Sequence, residues 1–118
     1  MCPSSRELHD QLLGQWASDL KSIFGVEPEK RVHYHITNDS GTMDITQGEV
    51  DIYIEEENRI NIFEVKRNYK RFNKAIKELR KSERYFKIKS KPVEKYIIIG
   101  DPRNEDADET GEMIYYLK

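Results

Sequence analysis

A single cysteine, Cys2, in 118 residues excludes an internal disulfide and any cysteine cluster for zinc or iron–sulfur within one chain. Apolar residues never run long enough to cross a bilayer. The polar start MCPSSRELHD lacks the apolar middle of a secretory leader, so an intracellular, cytoplasmic protein without membrane contact is expected. No internal repeat is visible, and no feature of a sequence-reading nucleic-acid module is present, which points to recognition by shape. A chain of this length has room for one core, and a single domain over 1–118 follows.

What the chain does have is charge, and the net value of −2 hides how it is divided. Residues 65–95 hold thirteen Lys and Arg against Glu78, Glu83 and Glu94, a balance of +10, whereas residues 38–64 hold eight acids against Arg59, a balance of −7. Basic stretches of that density are footprints for phosphate backbones.

The elements can be read from periodicity. Ser4 followed by Glu7 is a capping box, and Leu8, Leu12, Trp16, Leu20, Ile23 and Phe24 recur at helical spacing, predicting a helix over 5–24 stopped by Gly25 and Pro28. RVHYHIT alternates Val32, Tyr34 and Ile36 against His33 and His35, as a strand does; the two histidines have no further ligand at zinc spacing and read as a polar strand face. The polar stretch from NDSGT to Gly48 reads as a loop or irregular strand.

EVDIYIEE then places Val50, Ile52 and Ile54 on one face and Glu49, Asp51, Tyr53 and Glu55 on the other. After a turn near Glu57-Asn58, RINIFEVKR places Ile60, Ile62, Glu64 and Lys66 on one face. Phe72, Ala75, Ile76, Leu79, Glu83 and Phe86 form the inner stripe of a second helix, roughly 69–87, with lysines on its other sides. EKYIIIG is a buried strand, Asp101 to Glu112 an acidic loop, and MIYYLK a last strand. The order is α-β-β-β-α-β-β, an α/β (α+β) chain.

Chemistry concentrates in the central hairpin. Asp51 on one strand and Glu64 on the next are expected to point to one place, where two carboxylates repel unless a cation lies between them. Mg²⁺ or Mn²⁺ accepts such oxygens, with the Val65 backbone carbonyl as a third. Lys66 projects from the face of Glu64, where its ammonium can orient an attacking water or offset charge on a phosphorane-like transition state. The set suits hydrolysis of a phosphodiester. Arg67, Lys70, Arg71, Lys74, Lys77 and Lys81 follow directly and are expected to guide a DNA backbone toward it.

VDIYI followed by FEVK resembles the PD-(D/E)XK nuclease signature, with Val50 at the position of the proline. The resemblance spans nearly the whole chain and implies a restriction-endonuclease-like αβββαβ core, a central mixed sheet flanked by helices. In size and layout the chain is most similar to small archaeal Holliday-junction resolvases. That likeness implies a Mg²⁺-dependent endodeoxyribonuclease of recombination or repair, with Glu7 as an auxiliary catalytic and metal-binding glutamate and Ser40 and Thr42 of DSGT as substrate-positioning groups. RecB-like and Cas4-like nucleases carry a Gln and a Tyr on the second helix, where this chain has Glu78 and Ser82.

The expected partner is DNA, possibly branched. Symmetric cutting of two strands needs two active sites, so a homodimer is expected, with Tyr115 and Tyr116 as candidate interface residues. Two other readings are a catalytically inactive nucleic-acid-binding module that keeps the nuclease fold, and a protein-interaction adaptor that uses the acidic and basic faces.

Overall fold

The fold is that of a computed structural model, which describes residues 4–37, 44–67, 69–87, 90–100 and 113–117. Helix α1 (Ser5–Phe24) starts where the Ser4 hydroxyl accepts a hydrogen bond from the Glu7 amide at 3.1 Å. It ends at Gly25, whose φ of 70° is the left-handed conformation glycine adopts without steric cost, and whose N–H donates to the Lys21 carbonyl at 2.8 Å. Five strands follow the expected order: β1 (Glu29–Thr37), β2 (Asp44–Glu55), β3 (Ile60–Lys66), β4 (Val93–Ile99) and β5 (Met113–Leu117). Between β3 and β4 the chain makes a 3₁₀ turn, Tyr69–Arg71, and helix α2 (Phe72–Phe86), which together make up the stretch expected as one helix.

The strands form one sheet in the order β1-β2-β3-β4-β5. The β3–β4 pair is parallel and the other pairs are antiparallel. A parallel pair needs a crossover, and α2 supplies it. On one sheet face Leu12, Leu13, Trp16, Ala17 and Leu20 of α1 bury against Ile52, Ile54, Phe63, Val65 and Ile98. On the other, Ala75, Leu79 and Phe86 of α2 bury against Val50, Tyr53, Ile60, Ile62, Ile97 and Ile99, together with Tyr34. This is a mixed α+β architecture, a five-stranded mixed sheet flanked by two helices. Trp16 belongs to the core as its spacing implies, and its indole N–H donates to the Gly100 carbonyl at 3.3 Å.

Three local expectations change. First, the two alternatives left for the polar stretch reduce to one over its described part: residues 44–48 are an irregular strand, the start of β2, whose ladder to β1 runs from Thr37↔Asp44 through Tyr34↔Gly48 with an irregularity at Ile36/Thr37. Glycine suits this strand because a Cβ at position 48 would collide with the Tyr34 ring and hydroxyl.

Second, the simple alternation along β2 fails at Asp51. Val50 and Tyr53 both pack on the α2 side, while Ile52 and Ile54 pack on the α1 side. The irregularity lies opposite Arg31, whose φ of 54° is rare for a residue with a side chain. The ladder pairs Lys30 with Ile52 and Val32 with Val50 but does not pair Arg31 with Asp51. Third, Tyr115 turns inward, its ring edge-on to Phe72 at 5.0 Å, while Ile114 and Tyr116 are the exposed apolar residues of β5. The acidic loop 101–112 lies outside the described residues. Among the described residues no helix is long and apolar enough to cross a membrane.

Candidate active site

The β2–β3 ladder runs from Glu55↔Ile60 to Ile52↔Phe63 and stops there. At the next step the Asp51 side chain replaces the missing backbone partner: its Oδ2 accepts the Val65 N–H at 2.9 Å. The strands part at this point and leave a cleft of about 230 Å³. Glu49, Asp51, Glu64 and Lys66 line it from the strands, Glu78 and Lys81 from α2, and Tyr34 and Gly48 complete its wall. Asp51, Glu64 and Lys66, the triplet singled out in the sequence, therefore meet in one place.

Buried charge defines the site. Asp51 is 7 % exposed and Glu64 1 %. Burial alone would raise Asp51, but a hydrogen bond from His9, the Val65 amide, and the nearby charges of His9 and Lys66 outweigh it and hold the carboxyl below its ordinary range. The His9 Nε2 to Asp51 Oδ1 separation is 3.4 Å. Glu64 goes the other way. Burial, then repulsion from Asp51, then a hydrogen bond to Glu78 and the charge of Glu78 push it well above its ordinary value, against the pull of Lys66. Two neighbouring carboxylates whose affinities for a proton are driven apart are a mark of functional sites.

The Lys66 ammonium lies 3.8 Å from Glu64 Oε2 and 3.8 Å from Glu78 Oε2. Glu64 Oε1 is buried and has no hydrogen-bond partner. A buried carboxylate oxygen left unpartnered beside a second carboxylate fits an oxygen-preferring cation. Within a strand, a residue's N–H and C=O project to the same side, so the Val65 carbonyl faces β2, the side of Asp51. Among the described residues, no three His, Cys, Asp or Glu side chains are already gathered as a metal cage.

The other expected site residues are spread out. Glu7 is exposed, does not line the cleft, and acts through its backbone in the α1 cap. Ser40 and Thr42 lie outside the described residues. Of the basic candidates, Lys81 lines the cleft, whereas Arg67, Lys70, Arg71, Lys74 and Lys77 are exposed. Lys77 flanks a shallow depression on α2 with Arg80, Glu83 and Arg84.

Two residues at the site are not assigned to it from the sequence: His9, and Glu78, which enters there only in the charge balance and as a difference from RecB-like and Cas4-like nucleases. His9 stands one turn before Leu12 and Leu13, continuing the apolar stripe of α1 with a polar group, and that position is the signal that could have found it. Glu78 is an acid inside a basic helix, three residues after buried Ala75 and four before buried Ser82. Its neighbour Ser82 is hydrogen-bonded to the Tyr34 hydroxyl at 2.9 Å, which joins the cleft wall to β1.

No family model matches the chain, and no curated protein does. Among solved structures, a crystal structure of SSO0001 is similar, with a TM-score of 0.58 and 19 % identity over 98 % of this chain. The match covers 52 % of that protein, so this chain spans about half its length. At that identity the likeness is one of fold.

Proposed function

We propose that the protein is a metal-dependent endonuclease that hydrolyses DNA phosphodiester bonds, with a restriction-endonuclease-like core and a structure-specific substrate of the four-way-junction kind. The observation that carries this reading is the convergence of Asp51, Glu64 and Lys66 where β2 and β3 part, with Glu64 Oε1 buried and unpartnered. The resemblance of VDIYI and FEVK to PD-(D/E)XK nucleases, carried by the same three residues, also supports it.

Asp51 and Glu64 would hold Mg²⁺ or Mn²⁺, with the Val65 carbonyl on the same side as a third oxygen. When bound, the cation would supply Lewis-acid charge to the scissile phosphate and make a water more acidic. Lys66 projects into the same cleft, where its ammonium orients the attacking water and offsets the negative charge that grows on the phosphoryl oxygens. Lys81 and the exposed bases from Arg67 to Lys77 draw the DNA backbone in from the α2 side. Two copies of the chain provide the two cuts, and exposed Ile114 and Tyr116 on edge strand β5 are the candidate contact.

The test is cleavage of labelled four-way junction, flap, duplex and single-stranded DNA with Mg²⁺, with Mn²⁺ and with chelator. Metal-dependent cutting is expected, reduced at least about a hundredfold by Asp51→Ala and by Lys66→Ala. One observation favours a second reading, an inactive nucleic-acid-binding module: both Asp51 oxygens already have protein partners, His9 and the Val65 amide. Salt-sensitive DNA binding without cutting would establish that module instead.

A further inference from the structure

Glu78 is not explained by the cap, the core or the cationic face of its helix. It is an acidic group on the flank of α2 that meets the sheet, and its carboxylate reaches the same ammonium as Glu64 does. At 3.8 Å from each, Lys66 is hydrogen-bonded to neither and is held by charge from both sides. The helix that carries Glu78 is fixed to the sheet. Ala75, Leu79 and Ser82 are buried around it, and Ser82 is tied to Tyr34.

Such a two-sided hold has a purpose once Glu64 is given to a divalent cation. The Glu64 charge would then be committed, and a cation held by Glu64 would repel the neighbouring Lys66 ammonium. Lysine has a long flexible stem, and the cleft is open, so Lys66 with no other anchor would swing toward solvent. Of the remaining acids on the cleft wall, Glu49 is taken by Arg31 at 2.9 Å. Glu78 remains.

We infer that Glu78 is the positioning residue of Lys66: from α2 it holds the ammonium in the cleft while the Glu64 carboxylate serves the cation. The inference rests on the nuclease reading above. It makes the second helix a working part of the site in addition to its roles as crossover and electrostatic surface.

The experiment uses the whole chain as wild type, Asp51→Asn, Glu78→Gln and Glu78→Asp. Mn²⁺ affinity is read without DNA from the resonance signal of free Mn²⁺, and kcat and KM are read on a cleaved substrate. Glu78→Gln keeps the size and one acceptor oxygen and removes the charge. Its kcat is expected to fall at least about tenfold, with KM and Mn²⁺ affinity within about threefold of wild type, and Glu78→Asp to recover part of the rate. Cutting by Glu78→Gln at the wild-type rate overturns the inference. So does a loss of Mn²⁺ affinity of about tenfold or more, which would make Glu78 a ligand. Both of those results leave the nuclease reading standing if Asp51→Asn abolishes Mn²⁺ binding. A wild-type chain that neither cuts nor binds Mn²⁺ through Asp51 removes the reading and the inference together.

Discussion

The two helices cover opposite faces of one sheet, each through a stripe of buried residues, yet they treat charge in opposite ways. The exposed side of α1 is a mixture of Arg6, Glu7, Asp10, Gln11, Ser18 and Asp19, and its inward reach into the site is one neutral-capable ring, His9 on Asp51. The exposed side of α2 carries Lys74, Lys77, Arg80 and Arg84, while its inner flank brings the opposite sign, Glu78, to Lys66. One helix is chiefly a lid on the core. The other packs the core, makes the parallel crossover, presents a cationic surface and completes the cleft. Packing and chemistry are therefore separable in α1 and fused in α2.

The largest expected effect tests that fusion. Leu20→Ala and Leu79→Ala each remove a fully buried leucine, from α1 about three turns beyond His9 and from α2 respectively, and each is expected to cost about 3 kcal/mol in a denaturant unfolding experiment. Only Leu79→Ala loosens the residue next to Glu78, so it alone is expected to lower the cutting rate of the still-folded protein. Equal rates in the two variants would break the distinction.

A charge comparison comes next in size. Lys74→Glu with Lys77→Glu on α2 is expected to make the salt dependence of DNA binding shallower by about two units of slope, one per lost phosphate contact. Reversing the sign of Asp19 on α1 is expected to leave the slope unchanged. If both helices alter it alike, binding follows net charge and the α2 face has no special part.

The smallest effect concerns the buried pair. Folded Glu64 holds its proton more tightly than the unfolded chain does, so its contribution to stability is full below pH 4.5 and is lost as pH rises through the higher folded value. Asp51 behaves in the opposite sense: its contribution is present above pH 3.8 and is lost as pH falls through the lower folded value. Glu64→Gln is expected to stabilise the metal-free protein at neutral pH by about 1 kcal/mol and to flatten the decline with rising pH. Chemical unfolding across pH 5 to 8, a window chosen above both ordinary values, reads both. An unchanged curve would mean that Glu64 carries no burden in the empty cleft.

Much of this was legible before the structure. The helical stripe of α1 and the period of two in β1 each mark one face buried against one neighbour, while the largely apolar β3 and the apolar run of β4 mark strands buried on both faces. The shared face of Glu64 and Lys66 followed from the same rule and holds. Asp51 broke it. Alternation describes a regular strand, and no residue of β2 announces that Arg31, opposite, takes a positive φ and shifts Val50 and Tyr53 to the same side. Glu78 was hidden for another reason: a helix dense in lysine hides a single acid, and only packing tells which flank that acid occupies.

The parallel pairing of β3 with β4 also sets an order in time. Hairpins such as β2–β3 close through short loops, whereas β3 can meet β4 only after α2 has folded back across the sheet. His9, Asp51, Glu64, Lys66, Glu78 and Lys81 all precede Val93 in the chain, yet β3 pairs with β4 along its whole length from Ile60 to Lys66. A chain emerging from the ribosome thus has every side chain of the cleft in hand before it has the strand that holds them in register.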